Sequence, residues 1–419
     1  MTMTERRKRE VHWLWYLPLT LLIVFLTGWG WLLWCNRTPN IVLPPLPPVP
    51  KPNAADFYVQ AHGDLNMQAV KTSIGQSLWH TVDPKEPLKY TPAQREAYLD
   101  ELAPYARPIR EAQRYPCLIV QYRPDGSMDF ARASKLRDVA RYLQFESQTH
   151  AAAGQWAAGM SSALDGIHLG ADCTRDSGLL GTLIGIAIAA ITRDDAWQCV
   201  EHLTAPQAKA AATRLRAVMA REATMADILA EEKICTQRYF LMVMSDPHWQ
   251  SKLLEGDAMD IRVKGALLFK SKTSILRAYT RQMDLVIAET KKPYIERKPL
   301  PESKDPFVAM ITPVFHKAQE KQAWHQAYNR LLLTALTLRA YRLEHKDYPP
   351  NLQALLTAGY LPALPDDPFA HSGTFRYRLD GGKYLLYSIG PDGKDDGGRL
   401  VYDPRKPNAT GDIVAGGSR

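Results

Sequence analysis

The stretch YSIGPDGKDDGG, residues 387–398, places three aspartates and four glycines in twelve positions. It continues the alternating run KYLLYSI, residues 383–389, so a β-strand empties into an acidic, flexible loop. Two readings of that loop are open. Ca²⁺ takes about six to eight oxygens at ~2.3–2.6 Å from carboxylates, backbone carbonyls and water. Asp392, Asp395 and Asp396 supply carboxylates, and Gly390, Gly393, Gly397 and Gly398 let carbonyls turn inward. Asp and Gly equally dominate solvated turns, which is the plainer reading. An EF-hand is excluded, because Lys394 stands where the third loop position needs an oxygen ligand and a strand, not a helix, leads in.

Working outward, residues 374–378 alternate like residues 383–389, and Asp380-Gly381-Gly382 between them reads as a hairpin turn. An amphipathic helix is predicted from about Phe315 to His345, with Leu332, Ala335, Leu336, Arg339 and Leu343 setting its period. Tyr348-Pro349-Pro350 stops it. A short helix over 352–358 ends at Gly359. The last hundred residues therefore read as α+β, a helix followed by a small antiparallel sheet.

The order ALTLRAYRLEHKDYPPNLQALLTAGYLPALPDDPF, then the hairpin, then KYLLYSIGPDGKDDGG and GDIV resembles the globular head of the major pseudopilin of type II secretion. The matching positions are Tyr348-Pro349, the segment Gly359-Tyr360-Leu361-Pro362-Ala363-Leu364-Pro365, Asp367-Pro368 and the loop opening at Tyr387. The resemblance covers about a quarter of the chain. It implies a Ca²⁺ site formed by the backbone carbonyl of Ile389 and the carboxylate of Asp392, closed by Asp412. Asp395 and Asp396 are further ligands by position in the loop. Residues 399–410 are longer than the family has there. The family's basic leader, Gly-Phe cleavage site and early Glu have no counterpart before this helix, where Lys317, Glu320 and Lys321 stand instead. Assembly into a pilus is therefore not expected.

At the other end, residues 13–34, WLWYLPLTLLIVFLTGWGWLLW, carry no charge, and about 20 apolar residues span a bilayer. Trp13, Trp15 and Tyr16 mark one interface and Trp29, Trp31 and Trp34 the other. Arg6, Arg7, Lys8 and Arg9 place the N-terminus in the cytoplasm by the positive-inside rule. The residues around Cys35 are too bulky for a signal-peptidase or lipoprotein cut, so an uncleaved anchor is predicted. Seven prolines in residues 39–52 then predict an extended stalk.

Residues 55–295 read as almost wholly helical. Thr204 caps a helix beginning at Pro206, and GLLGTLIGIAIAAI, residues 178–191, is too short to span and reads as a core helix. CLIVQY, residues 117–122, is one strand candidate. Five prolines between Lys292 and Pro313 mark a junction. The predicted organisation is a cytoplasmic tail (1–12), transmembrane helix (13–34), Pro-rich stalk (35–54), all-α extracytoplasmic domain (55–295), linker (296–314) and α+β pseudopilin-like head (315–419).

The formal charge of +8 is diluted over 419 residues, and no nucleic-acid signature accompanies it. Cys117, Cys173, Cys199 and Cys235 have no CxxC pairing; disulfides and buried thiols both stay open. The helical region carries no HExxH, GxSxG, Walker loop or dinucleotide fingerprint. Asp165, His168 and Asp172 fall on one helix face, where they read as a metal-holding trio or, more plainly, as the solvated side of the helix, with Gly166 and Gly170 weakening it. No small-molecule substrate is evident. The functional expectation is a non-catalytic structural or interaction protein of the cell envelope, held in the inner membrane by one helix, meeting protein partners there, with a Ca²⁺-binding head tied to a secretion or pilus-like machine. The alternative is an anchored extracytoplasmic hydrolase with its site in the helical region.

Overall fold

The computed structural model describes residues 3–69, 71, 90–119, 121–122, 128–129, 131–175, 177–253, 270–298, 303–311, 313–403 and 409–416. Residues 404–408 of the long segment after the acidic loop, and residues 299–302 and 312 of the predicted linker, lie outside them. Helices dominate. In chain order they are α1 (Met3–Asn36), α2 (Ala54–Ala69), α3 (Pro92–Ala112), α4 (Ala131–Ala152), α5 (Trp156–Asp172), α6 (Gly178–Val200), α7 (Ala205–Met219), α8 (Met225–Ser245), α9 (Trp249–Leu253), α10 (Lys272–Thr290), α11 (Pro306–Ile311), α12 (Pro313–His345) and α13 (Gln353–Thr357). The strands are β1 (Gln121–Tyr122), β2 (Met128–Asp129), β3 (Arg376–Asp380), β4 (Lys383–Ser388) and β5 (Ile413–Val414). Of the strand predicted over 117–122, residues 121–122 pair with β2 and residues 117–119 are irregular, residue 120 lying outside the described residues.

Local chemistry sets the helix starts. Thr91 and Gln94 form a capping box before α3, and Thr204 and Gln207 form another before α7, each followed by a proline in the first turn. The β3–β4 hairpin turns on Gly381 and Gly382, both at positive φ (54° and 82°), the backbone geometry a two-residue turn needs to match strand twist. The sheet order is β3-β4-β5, all antiparallel, with Arg376 opposite Tyr387 and Tyr387 opposite Val414.

The chain divides into two compact units that do not follow chain order. One comprises residues 1–44, 236–284 and 301–312; the other 45–235, 285–300 and 313–419. In the smaller unit, α1 contains the one helix among the described residues that is long and apolar enough to cross a membrane, Tyr16–Asn36. Its side chains from Tyr16 to Trp34 are exposed. The chain leaving this helix is held by its own unit. The Trp249 indole N–H donates to Asn36 Oδ1 (3.1 Å), and Arg238 donates to the Pro44 carbonyl (2.5 Å). Phe240 of α8 and Tyr279 of α10 meet edge to face (5.3 Å between ring centres), and Gln237 donates to Thr280 (2.7 Å).

The larger unit has two apolar cores. Tyr58, Leu65, Leu102, Ile109, Leu136 and Leu143 form one among α2, α3 and α4. Leu164, Ile167, Leu215, Leu332, Leu336, Phe369, Leu386 and Ile413 form the other, among α5, α7, α12 and the sheet. Helix α5 contributes to both, through Leu169 to the first and Leu164 to the second. It packs closest on α6, through glycines. A Cβ on Gly170 would stand 2.6 Å from the Gly185 carbonyl, and one on Gly166 would collide with Thr192. The glycines that weaken α5 in isolation are thus what lets α6 approach it. All five cysteines are free thiols, four of them buried and Cys235 half-buried.

Candidate functional site

The acidic loop is built outward from Asp367, a residue the sequence offered only as half of an Asp-Pro pair. Asp367 is buried at the end of β4, where its carboxylate accepts from Ser388 Oγ (2.6 Å), Ile389 N (3.1 Å) and Phe369 N (3.0 Å). Burial raises its pKa above the ordinary carboxylate value and these three donors oppose the rise. Gly390 then turns the chain at φ 70°, against the Gly411 carbonyl. Asp392 accepts from Lys394 N and Gly411 N (both 3.2 Å), stitching the loop to the segment leading into β5. Asp395 accepts from Tyr387 OH (2.8 Å), Gly397 N (3.0 Å) and Arg376 Nε (3.1 Å). Asp412 lies beneath at 0% exposure. One of its oxygens accepts from Gly398 N (2.7 Å); the other, Oδ1, is buried with no hydrogen-bond partner among the described residues. Burial raises the Asp412 carboxyl above its ordinary value, backbone N–H groups oppose this, and the charges of Asp395 and Asp396 add to it.

Four of the five residues expected as ligands, Asp392, Asp395, Asp396 and Asp412, thus share one loop assembly. Ile389 is buried at its base, with its N–H committed to Asp367. Among the described residues no three His, Cys, Asp or Glu side chains gather as a metal-holding group. The fit to a cation is partial. The unpartnered Asp412 oxygen amid like charge suits one, whereas Asp395 already has a guanidinium partner.

The trio on α5 is not a solvated face. Asp165, His168 and Asp172 are 1%, 7% and 3% exposed, because α5 is covered on all sides from Ser162 to Asp172, where Leu164, Ile167 and Ala171 are buried as well. Their neighbours are arginines from helices distant in sequence. Asp165 accepts from Arg214 and from Gln113 Nε2 (2.7 Å), and its second oxygen stands 3.1 Å from Arg110 Nε. Arg110 also bonds Glu146 (2.6 Å). Asp172 accepts from Tyr58 OH (2.7 Å) and Arg221 (3.0 Å). His168 Nε2 lies 3.6 Å from Asp172, too far for a hydrogen bond, and has no hydrogen-bond partner among the described residues. Burial, with Arg221 and Arg214 nearby, lowers His168 to about 4, so the imidazole is neutral at neutral pH. Burial lifts Asp172 to about 6 against the pull of Tyr58 and Arg221. Each carboxylate in the cluster is matched by a guanidinium. The arrangement clamps α3, α5 and α7 together, and among the described residues no hydroxyl or thiol is hydrogen-bonded to His168 Nε2 as a nucleophile would be.

A second buried chain of polar groups joins α6 to α12. Arg193, 1% exposed, donates to His325 Nδ1 (2.9 Å). That fixes the proton on His325 Nε2, 3.2 Å from Glu222, which also accepts from Asn329 (3.1 Å). Trp324 and Tyr328 lie over the Arg193 guanidinium at 5.3 and 5.6 Å. This has the Glu–His half of a hydrolytic triad, but the third member is a guanidinium, which has no nucleophilic lone pair to offer. A shallow surface depression between α12 and α13, lined by Tyr341, Pro350, Gln353, Ala354 and Thr357, holds no titratable group other than Tyr341. The chain matches no protein-family model, no curated protein and no solved structure.

Proposed function

We propose that this chain is a non-catalytic, membrane-anchored protein of the cell envelope. Its C-terminal α+β region acts as a pseudopilin-like, Ca²⁺-stabilised head for protein partners in a secretion or pilus-like machine. The single observation that carries the reading is the loop assembly around Asp367 and Asp412. A buried, unpartnered carboxylate oxygen sits there under a glycine-rich acidic loop, costly unless a cation satisfies it. The long apolar helix with basic residues before it supports an inner-membrane anchor with a cytoplasmic N-terminus and an extracytoplasmic bulk. Self-neutralised charge clusters in the helical region support a scaffold rather than an enzyme.

Thermal unfolding of the full chain in detergent tests this, with EDTA and with rising Ca²⁺. A ligand at about 100 times its Kd adds ~2.7 kcal/mol to the state that binds it. The midpoint of the parent should climb with Ca²⁺, and that of Asp412→Ala should not. A parent that ignores Ca²⁺ removes the metal from the proposal.

One observation favours the alternative hydrolase. Asp165, His168 and Asp172 converge inward with a neutral imidazole among them, as an acid–base site would require. Labelling of His168 by diethyl pyrocarbonate in the folded protein, with loss of a measured hydrolytic activity, would favour that reading.

A further inference from the structure

We propose that the corner between α8 and α9 is a second membrane-contact surface, seated in the phospholipid headgroup layer beside the anchor. The inference rests on the anchor reading above and adds to it a surface of the folded chain.

The register of the anchor is fixed at both ends. Residues 13–34 carry no charge, and the first charged residue beyond them is Arg37. Twenty-two helical residues rise ~33 Å, close to the ~30 Å hydrocarbon core. Trp29, Trp31 and Trp34 then mark the outer boundary. Asn36 is two residues past Trp34, ~3 Å further along the axis. The headgroup layer on each face is about 5–7 Å deep, so Asn36 lies within it. Asn36 is also the last residue of α1, and its Nδ2 donates back to the Leu32 carbonyl (3.1 Å), which orients its Oδ1 outward.

Trp249 donates its indole N–H to that same oxygen at 3.1 Å. A residue 213 positions later in the chain is thereby held at the depth of Asn36. Trp249 is itself 1% exposed, so it is the fastener and not the lipid-facing group. Its neighbours Pro247, His248, Ser251 and Lys252 are exposed. Being exposed and within three residues of Trp249, they lie near that depth and are open to the headgroup layer. The corner's one carboxylate, Asp246, bonds Lys252 (2.7 Å), so no unpaired negative charge there opposes a phospholipid headgroup layer. Cys35 and Pro39, on either side of Asn36 in a stretch that is otherwise exposed, are buried, so the chain leaving the bilayer is packed from its first residue.

The test uses the full chain in phosphatidylcholine nanodiscs, with Cys35→Ala and Cys235→Ser and an environment-sensitive fluorophore on Ser251→Cys or, separately, on Leu33→Cys. Quenchers are a nitroxide on the lipid headgroup, a nitroxide deep in the acyl chain, and aqueous iodide. The proposal expects the Ser251→Cys probe to lose emission to the headgroup nitroxide and to be shielded from iodide. Adding Trp249→Phe should reverse that order. If the Ser251→Cys probe responds to iodide alone while the Leu33→Cys probe is quenched by the acyl-chain nitroxide, the anchor stands and the contact surface is refuted. If the Leu33→Cys probe also responds only to iodide, the anchor reading itself falls, and the contact surface with it.

Discussion

Replacing Gly170 by Ala adds one methyl group where α5 meets α6, and the structure fixes what that methyl would meet. Its Cβ would lie 2.6 Å from the Gly185 carbonyl oxygen, 2.7 Å from Ala189 Cβ and 2.9 Å from Ala189 N. Two of these are backbone atoms, so no rotamer change relieves them. Ordinary carbon contacts need roughly 3.5 Å, so the helices must part by nearly 1 Å along a seam that runs from Gly159 to Gly170. Forcing a methylene into a packed core costs about 1–3 kcal/mol, and rigid backbone on the receiving side places this case at the upper end. Against it stands the ~1 kcal/mol by which Ala outranks Gly in a helix. The net expectation is a loss of about 2 kcal/mol. At ~2.1 cal/mol/K of unfolding entropy per residue, a unit of about 310 residues shifts by ~1.5 °C per kcal/mol, so the midpoint should fall by roughly 3 °C. Gly63→Ala is the matched control. Gly63 lies within α2 with nothing within 4 Å of its would-be Cβ, so there the propensity gain acts alone and the midpoint should rise. Thermal melts of both variants, followed by far-ultraviolet circular dichroism, settle the matter. A Gly170→Ala protein as stable as its parent, or one that shifts in the same direction as Gly63→Ala, would refute the close-approach account.

Other outcomes follow from the buried charges. Burial raises Asp195 to about 7, with its Oδ2 unpartnered, so the folded state holds a proton that the unfolded chain releases near pH 4. Stability from that carboxyl is complete below pH ~4 and is lost as pH rises through about 7. Asp195→Asn should therefore melt higher than the parent at about pH 8.5 and much closer to it at about pH 5, read as paired melts across pH. Arg214→Ala leaves Asp165 short of one cation. We expect about 2–3 kcal/mol of destabilisation, below the ~3–5 kcal/mol typical of broken buried pairs, because the Arg214 side chain keeps 30% exposure. Adding Asp165→Asn should recover part of the loss, measured as a double-mutant cycle. Asp367→Ala strands the N–H groups of Phe369 and Ile389, at ~1–3 kcal/mol for each buried donor. It should speed amide exchange at residues 388–390 before it affects α5.

The last hundred residues were the most legible part of the chain, because their signals are local. Gly381-Gly382, the alternation on either side of it and the Tyr348-Pro349 stop each fix a backbone conformation without reference to anything distant. The capping boxes at Thr91 and Thr204 are local in the same way. What could not be read was partnership across the fold. Asp165, His168 and Asp172 looked like a polar stripe because the helical period says which residues share a face, not what covers that face. Their partners Arg110, Arg214 and Arg221 lie about 50 residues away on either side, with no spacing to betray them. Gly166 and Gly170 were legible as weak helix formers but not as contact points, since the contacting surface, Gly185 to Thr192, belongs to another helix. Asp412 was found through resemblance to a known head, whereas the buried Asp367 beneath the same loop carried no such flag.

The interleaved composition of the smaller unit has a consequence for how the protein is made. Synthesis proceeds at ~5–20 residues per second, and the partner of Asn36 lies 213 residues downstream. On the proposed anchor reading, the apolar helix enters the bilayer some 10–40 s before Trp249 exists. During that interval the larger unit's first 190 residues emerge and must fold or be chaperoned beside an unfastened tether. The fastening is completed only by late-arriving chain, and the unit also draws on residues 301–312. No single contiguous fragment reproduces the smaller unit. On the same reading, a nascent protein stalled before Trp249 would be inserted in the membrane with Asn36 still unfastened, which offers quality-control proteases a marker that distinguishes unfinished from finished copies.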